Sequence, residues 1–246
     1  MKTLVFLPGL SFECTLWNKV TKYLLNKDMQ FHFIDFPHYG TIRSGKRVDI
    51  PYLAEYLKDE VKKRHIETPF TLVGHSLGGV VATEFTSKYP ELIDKLILTS
   101  TPLRDPNSSF PKRYSFAINT IYYLNFLTPI VRRMFRIANL IMRARLSHSK
   151  YMKYQDLFAF TEYADSKAIC GCFRDIRRFE LLEKIKKIQK KTLIVYGKQD
   201  FLLLNVHGKD YYDKFSDAKI IELNSPHSIP IMFPEEVSKY IEEFIK

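Results

Sequence analysis

Cysteine is scarce in this chain: Cys14, Cys170 and Cys172 are the only three among 246 residues. So small and odd a number excludes a disulfide framework and fits a reducing compartment, so the expected location is cytoplasmic. Cys170-x-Cys172 has no second pair of ligands at the spacing a zinc site needs. The two read as ordinary thiols, and no metal is expected. Long hydrophobic runs are missing as well. No stretch approaches the roughly 18 uninterrupted apolar residues of a membrane span, which excludes a transmembrane segment. The apolar start, Met1 to Leu7, is broken by Pro8-Gly9 with no small-residue cleavage site behind it. It reads as a first β-strand rather than a signal peptide. Internal repeats and low-complexity tracts are also lacking.

What is present is ordinary for a folded domain. Hydrophobic residues make up 46% and charged residues 26%, and chains of this length bury a sizeable core as one α/β domain. Strands and helices alternate along the chain. Leu4–Leu7, Phe31–Phe36, Phe70–Val73, Leu96–Thr99, Thr192–Tyr196 and Ile220–Leu223 are short apolar runs bounded by turn residues. Ile50 to His65 is helical, with Leu53, Leu57 and Val61 recurring every four residues. Gly79 to Tyr89 is a second helix stopped by Pro90, and Glu235 to Lys246 closes the chain as a third. Strands separated by helices require crossovers, hence a mainly parallel sheet covered on both faces. The rhythm fails between Pro102 and Leu182, which carries helices and no strand. The expected division is a core of residues 1–101 and 183–246 with a helical insertion over 102–182.

Chemistry concentrates at Gly74-His75-Ser76-Leu77-Gly78, a G-x-S-x-G match lying between a strand and a helix. That setting is the nucleophile elbow, a turn so tight that small residues must flank the serine. Ser76 is the candidate nucleophile, and a serine hydroxyl needs a base. Of seven histidines, His227 follows the last strand and precedes the final helix, where the chain order Ser…Asp…His requires the base. Asp200, just past the penultimate strand, is the leading acid, with Asp105 and Asp175 as alternatives. Backbone N–H groups of Leu77, directly after the serine, and of Leu10, in the loop after the first strand, are the expected oxyanion donors.

Charge is distributed unevenly. The net charge is +11, which predicts attraction to acidic partners. From 106 to 155 there is no Asp or Glu, while Lys112, Arg113, Arg132, Arg133, Arg136, Arg143, Arg145, Lys150 and Lys153 all fall there. At about 100° per residue, a helix over 130–146 gathers Arg132, Arg136 and Arg143 into one arc. Val131, Met134, Phe135, Ile137, Ala138, Ile141 and Met142 fill the other side. The expectation is an apolar side turned inward and a basic stripe outward. That stripe is a solvated face, a dock for an acidic acyl-carrier protein or coenzyme A, or a peripheral contact with an anionic membrane. Nucleic acid is not expected, because no recognition motif accompanies the charge.

With these residues assembled, the chain resembles the α/β-hydrolase superfamily, and among its members the small bacterial carboxylesterases of the pimeloyl-carrier-protein methyl ester esterase and menaquinone-pathway hydrolase type. Leu7-Pro8-Gly9-Leu10 with Trp17 is similar to the superfamily's oxyanion loop, and Asp35-Phe36-Pro37-His38-Tyr39-Gly40 to its Asp-x-Pro-Gly-x-Gly turn. Tyr196-Gly197-Lys198-Gln199-Asp200 resembles the acid segment, and Pro226-His227-Ser228-Ile229-Pro230 the histidine segment. Two departures stand out: Pro8-Gly9 where His-Gly is usual, and Pro226 where glycine commonly precedes the histidine. The resemblance implies an α/β-hydrolase fold with a helical lid, and a Ser76–His227–Asp200 triad cleaving a carboxylic ester or thioester without a cofactor. A serine at the elbow sets the chain apart from dehalogenases and epoxide hydrolases, which use aspartate. Trp17, Arg132, Arg136 and Arg143 are then expected to meet the substrate or its carrier. Rival readings on the same fold are a lyase or carbon–carbon bond hydrolase, and a low-turnover receptor.

Overall fold

The computed structural model describes residues 1–10, 13–25, 28–37, 49–102, 133, 137, 140, 141, 144, 181–200 and 212–246. Several sequence expectations lie outside them: the turn at His38, Tyr39 and Gly40, the alternative acids Asp105 and Asp175, Cys170 and Cys172, Arg132, Arg136 and Arg143, and most of the 102–182 insertion.

Among the described residues six strands form one sheet: β1 (Lys2–Leu7), β2 (Met29–Phe33), β3 (Phe70–His75), β4 (Ile93–Thr99), β5 (Thr192–Gly197) and β6 (Ala218–Leu223). Their order is β2-β1-β3-β4-β5-β6, and every neighbouring pair is parallel. The helices are α1 (Asn18–Tyr23), entered from a 3-10 turn at Cys14–Trp17, α2 (Ile50–Lys63), α3 (Leu77–Lys88), α4 (Leu181–Ile185), α5 (Ile229–Met232) and α6 (Pro234–Ile245). The start of α2 shows why these residues choose a helix. The Asp49 carboxylate caps it by accepting from the Tyr52 N–H at 2.9 Å, Pro51 sits in its first turn, and basic Lys62 and Lys63 close its last turn, favourable to the helix dipole.

Alternate strand residues feed two cores. Val5, Leu7, Leu72, Leu96, Leu98 and Ile194 pack with Leu53 and Leu57 of α2, Phe85 of α3 and Ile185 of α4. Leu4, Phe6, Val73, Ile97, Leu193 and Val195 point the other way, onto Trp17, Val20 of α1 and Val237 and Ile241 of α6. Burial on both sides explains the continuously apolar runs Leu4–Leu7, Leu96–Leu98 and Leu193–Val195, while Lys2, Asp94 and Lys95 sit at strand starts and Gln30 and Glu222 on the two edge strands.

Among the boundaries that differ from the sequence reading, two lie close to the elbow or to β1. The second strand stops at Phe33, although the apolar run continues through Ile34 and Phe36, both fully buried. Among the described residues its only neighbour is β1, and the last pair in that register is Phe6 with Phe33. One further bond, from the Ile34 N–H to Phe6 O at 3.1 Å, closes the ladder. Helix α3 begins at Leu77 rather than Gly79, so two glycines lie inside its first turn despite their poor propensity.

The chain leaves β1 toward one edge of the sheet and returns to β3 on the other side of β1. That reversal is the point where open parallel sheets leave a crevice beyond their carboxyl ends. Ser76 lies at the end of β3, and the loop carrying Leu10 lies at the end of β1.

In the insertion, Arg133, Ile137, Leu140, Ile141 and Ala144 are helical and exposed. Ile137 is 53%, Leu140 74% and Ile141 47% exposed. This corrects the expectation that Ile137 and Ile141 face inward. Helical periodicity sorts side chains into arcs, but it does not say which arc meets the protein.

Candidate active site

Ser76 is the single residue between β3 and α3, and its backbone sits at φ 50° and ψ −116°. A non-glycine residue in this region costs on the order of 1–3 kcal/mol, sustained only where the surroundings over-determine it. The restraints are visible. The Ser76 N–H donates to Thr99 O at 2.9 Å, and Ser76 O accepts from the N–H groups of Gly79 at 3.0 Å and Val80 at 3.2 Å. A Cβ on Gly74 would lie 2.5 Å from Gly78 O, and one on Gly78 would lie 2.5 Å from Pro8 O. Glycine is required at both positions for backbone to approach backbone this closely. The second contact presses the loop after β1 directly against the elbow.

The elbow presents its hydroxyl to His227. His227 Nε2 lies 2.9 Å from Ser76 Oγ, and His227 Nδ1 lies 2.7 Å from Asp200 Oδ2. Asp200 and His227 are buried, at 2% and 4% exposure, whereas Ser76 is partly open to solvent. The two loops carrying them are tied together. Lys198 N–H donates to Leu223 O at 2.8 Å and Gln199 N–H to Ser225 O at 3.0 Å. A Cβ on Gly197 would stand 2.7 Å from Pro226 O. Burial of Tyr212, with the Asp200 charge as a lesser cause, pushes its phenol well above the ordinary tyrosine range.

Around this row lies a neutral aromatic shell. His75 is fully buried, its Nδ1 is 3.1 Å from Thr99 Oγ1, and its ring centre is 5.1 Å from that of His227. Burial, and secondarily the proximity of His227, holds His75 well below the usual histidine range. Trp17 stands edge-on to His75, with centroids 6.4 Å apart. Trp17, expected to meet substrate or carrier, has no solvent-exposed surface, and its indole N–H donates to Leu7 O at 3.1 Å. From there it braces the loop after β1. His75 and Thr99 escaped the sequence reading because what joins them is the register of β3 on β4, which pairs these two residues.

The expected oxyanion donors lie on adjoining segments. Leu77 is the first residue of α3, so its N–H has no acceptor within the helix. Leu10 is buried in the loop after β1, the loop whose Pro8 carbonyl abuts Gly78. A hydroxyl hydrogen-bonded to an imidazole suits attack on an acyl carbonyl.

Solved structures share this architecture. A hydrolase from Pseudomonas aeruginosa PA01 superposes with a TM-score of 0.79 at 16% identity, covering 99% of this chain and 89% of its own. A thermophilic esterase from Thermogutta terrifontis gives 0.76 at 18%, covering 100% and 89%. In sequence, the chain is 23% identical to the pimeloyl-[acyl-carrier protein] methyl ester esterase of Wigglesworthia glossinidia brevipalpis, over 81% of this chain and 75% of that protein. It is 27% identical to the monoacylglycerol lipase ABHD6 of Mus musculus, over 99% and 75%. The family model for serine aminopeptidase S33 (Hydrolase_4) matches residues 1–224, a span that takes in β1, the elbow and the acid segment. The chain is therefore an α/β hydrolase of the serine-hydrolase type, and it belongs to the serine aminopeptidase S33 family.

Proposed function

We propose that this hydrolase cleaves carboxylic esters through an acyl-enzyme on Ser76. The hydrogen-bonded row Ser76–His227–Asp200 carries the reading. Ser76 Oγ attacks the acyl carbonyl as His227 Nε2 takes its proton. Asp200 holds the imidazole in the tautomer that presents a free Nε2, and it stabilises the imidazolium that forms. The N–H groups of Leu77 and Leu10 receive the developing oxyanion. The carbonyl–oxygen bond to the leaving group then breaks, and the leaving oxygen collects the proton from His227. In the second half, water loses a proton to the same Nε2, attacks the acyl-enzyme and releases the acid. The scheme uses no metal and no cofactor.

In this reading residues 102–182 cap the site, and their many aromatic and aliphatic side chains suit an apolar acyl group on an alcohol or thiol. Acyl-carrier-protein methyl esters and monoacylglycerols, named for two relatives, both fall in that class. The test is a p-nitrophenyl ester series from acetate to decanoate, with Ser76→Ala in parallel. The expected result is turnover that falls about 10⁵-fold in the variant. Folded protein that hydrolyses none of the series would overturn the esterase reading in favour of lyase chemistry.

A further inference from the structure

Arg133, Ile137, Leu140, Ile141 and Ala144 recur at intervals of four, three, one and three residues. At ~100° per residue they form one helical face. That face is exposed, and its three large side chains are 53%, 74% and 47% accessible. Isolated exposed leucines and isoleucines need no explanation, but three in register on one helix mark an interaction surface.

The surrounding charge narrows the occupant. Between 106 and 155 the chain has nine lysines and arginines and no acid. Arg133 belongs to the exposed face itself. Arg132, Arg136, Arg143 and Arg145 are interleaved with it in sequence. Apolar side chains set among cations suit a surface whose interior is hydrocarbon and whose border is negative. A helix of this kind lies in the interface plane and does not span. Among the described residues no helix is long and apolar enough to cross a membrane.

We propose that this face docks the enzyme onto an anionic lipid bilayer, with Ile137, Leu140 and Ile141 entering the acyl boundary and the arginines meeting the headgroups. The inserted segment leaves the sheet at Thr101-Pro102, two residues beyond the Thr99 carbonyl that holds the Ser76 N–H. This inference does not depend on the esterase reading.

Vesicle co-sedimentation tests it. Full-length protein is spun with phosphatidylcholine vesicles containing either none or about a third phosphatidylglycerol. The variant Ile137→Ser/Leu140→Ser/Ile141→Ser is run beside wild type, with circular dichroism as the folding control. Wild type is expected to pellet with the anionic vesicles, and the variant to partition at least about tenfold less. Wild-type binding is expected to drop several-fold in 1 M salt, where the Debye length shrinks to about 3 Å. Equal binding to neutral vesicles would overturn the charge assignment, and unchanged binding by a folded variant would overturn the docking face. No vesicle binding, with capture by an acidic acyl-carrier protein instead, would reassign the face to a protein partner.

Discussion

Side chain by side chain, the site has a buried ionisable pair behind a partly open hydroxyl. Asp200 acts in the proposed scheme by setting the His227 tautomer, so Asp200→Asn should leave the fold intact and lower kcat by about 10⁴. Steady-state kinetics with a p-nitrophenyl ester checks this, and a loss below tenfold would remove Asp200 from the triad. His75 makes a different prediction. Burial holds it below its ordinary pKa of 6.5, so it stays neutral in the fold while an unfolded chain takes up the proton. The unfolded state therefore binds more protons below pH 6.5, and stability rises with pH there. The contribution of His75 is fully present above about pH 6.5 and is lost as the pH falls through the depressed value. Wild-type Tm should fall by at least ~3 °C between pH 7 and pH 5, and His75→Gln should flatten that slope. His32, also lowered chiefly by burial, acts in the same direction and is left in place by the substitution. Sequence reasoning named Ser76, His227 and Asp200 because each stands at a strand end with a local signature. Nothing local marks His75, which stands beside Ser76 in the chain. Its place under the His227 ring depends on contacts across the sheet.

Among the elements, α3 carries the heaviest constraints. Its first turn contains Gly78 and Gly79, and the Gly78 Cα faces the carbonyls of Leu7 and Pro8. Gly78→Ala places a methyl 2.5 Å from Pro8 O, so the loop after β1 must move. The expected cost is about 2–3 kcal/mol in denaturant unfolding, with a loss of activity beyond what stability explains, because Leu10 moves with that loop. At its far end α3 is pinned to α4 by the ion pair of Lys184 Nζ with Glu84 Oε2 at 3.0 Å, where Glu84 is almost wholly buried and Lys184 about a third exposed. Lys184→Met leaves the buried carboxylate facing a thioether. It should cost about 2 kcal/mol, below the ~3–5 of a fully buried pair because solvent reaches the lysine. A midpoint shift at constant m-value would register it. Element types were legible from apolar runs and their period. Boundaries were not, wherever a neighbour decides them. β2 ends at Phe33, one pair short of the end of β1 at Leu7, and the start of α3 depends on how close backbone must come to the elbow.

For the molecule as a whole, a parallel sheet covered on both faces follows from the short, largely apolar runs that alternate with helices. The order β2-β1-β3-β4-β5-β6 does not, because linear sequence carries no record of which edge each crossover seeks. That order makes the site: it puts the loop after β1 beside the elbow after β3, and the loops after β5 and β6 beside each other, so donors and triad candidates meet at one sheet edge. The cap proposed for residues 102–182 would bring strong positive charge to that edge. Of a net +11, nine lysines and arginines unopposed by any acid lie between 106 and 155, in the segment that leaves the sheet next to Thr99. A field of one sign at the mouth of a site raises the encounter rate of oppositely charged ligands and is screened by salt, with a Debye length falling from about 30 Å at 0.01 M to 10 Å at 0.1 M. The p-nitrophenyl half-ester of a dicarboxylic acid should therefore lose several-fold in kcat/KM between 0.01 and 0.5 M salt, while neutral p-nitrophenyl butyrate stays within twofold. An anionic substrate as indifferent to salt as the neutral one would mean that this charge does not face the path of the substrate. The lipid surface would then have to account for it alone.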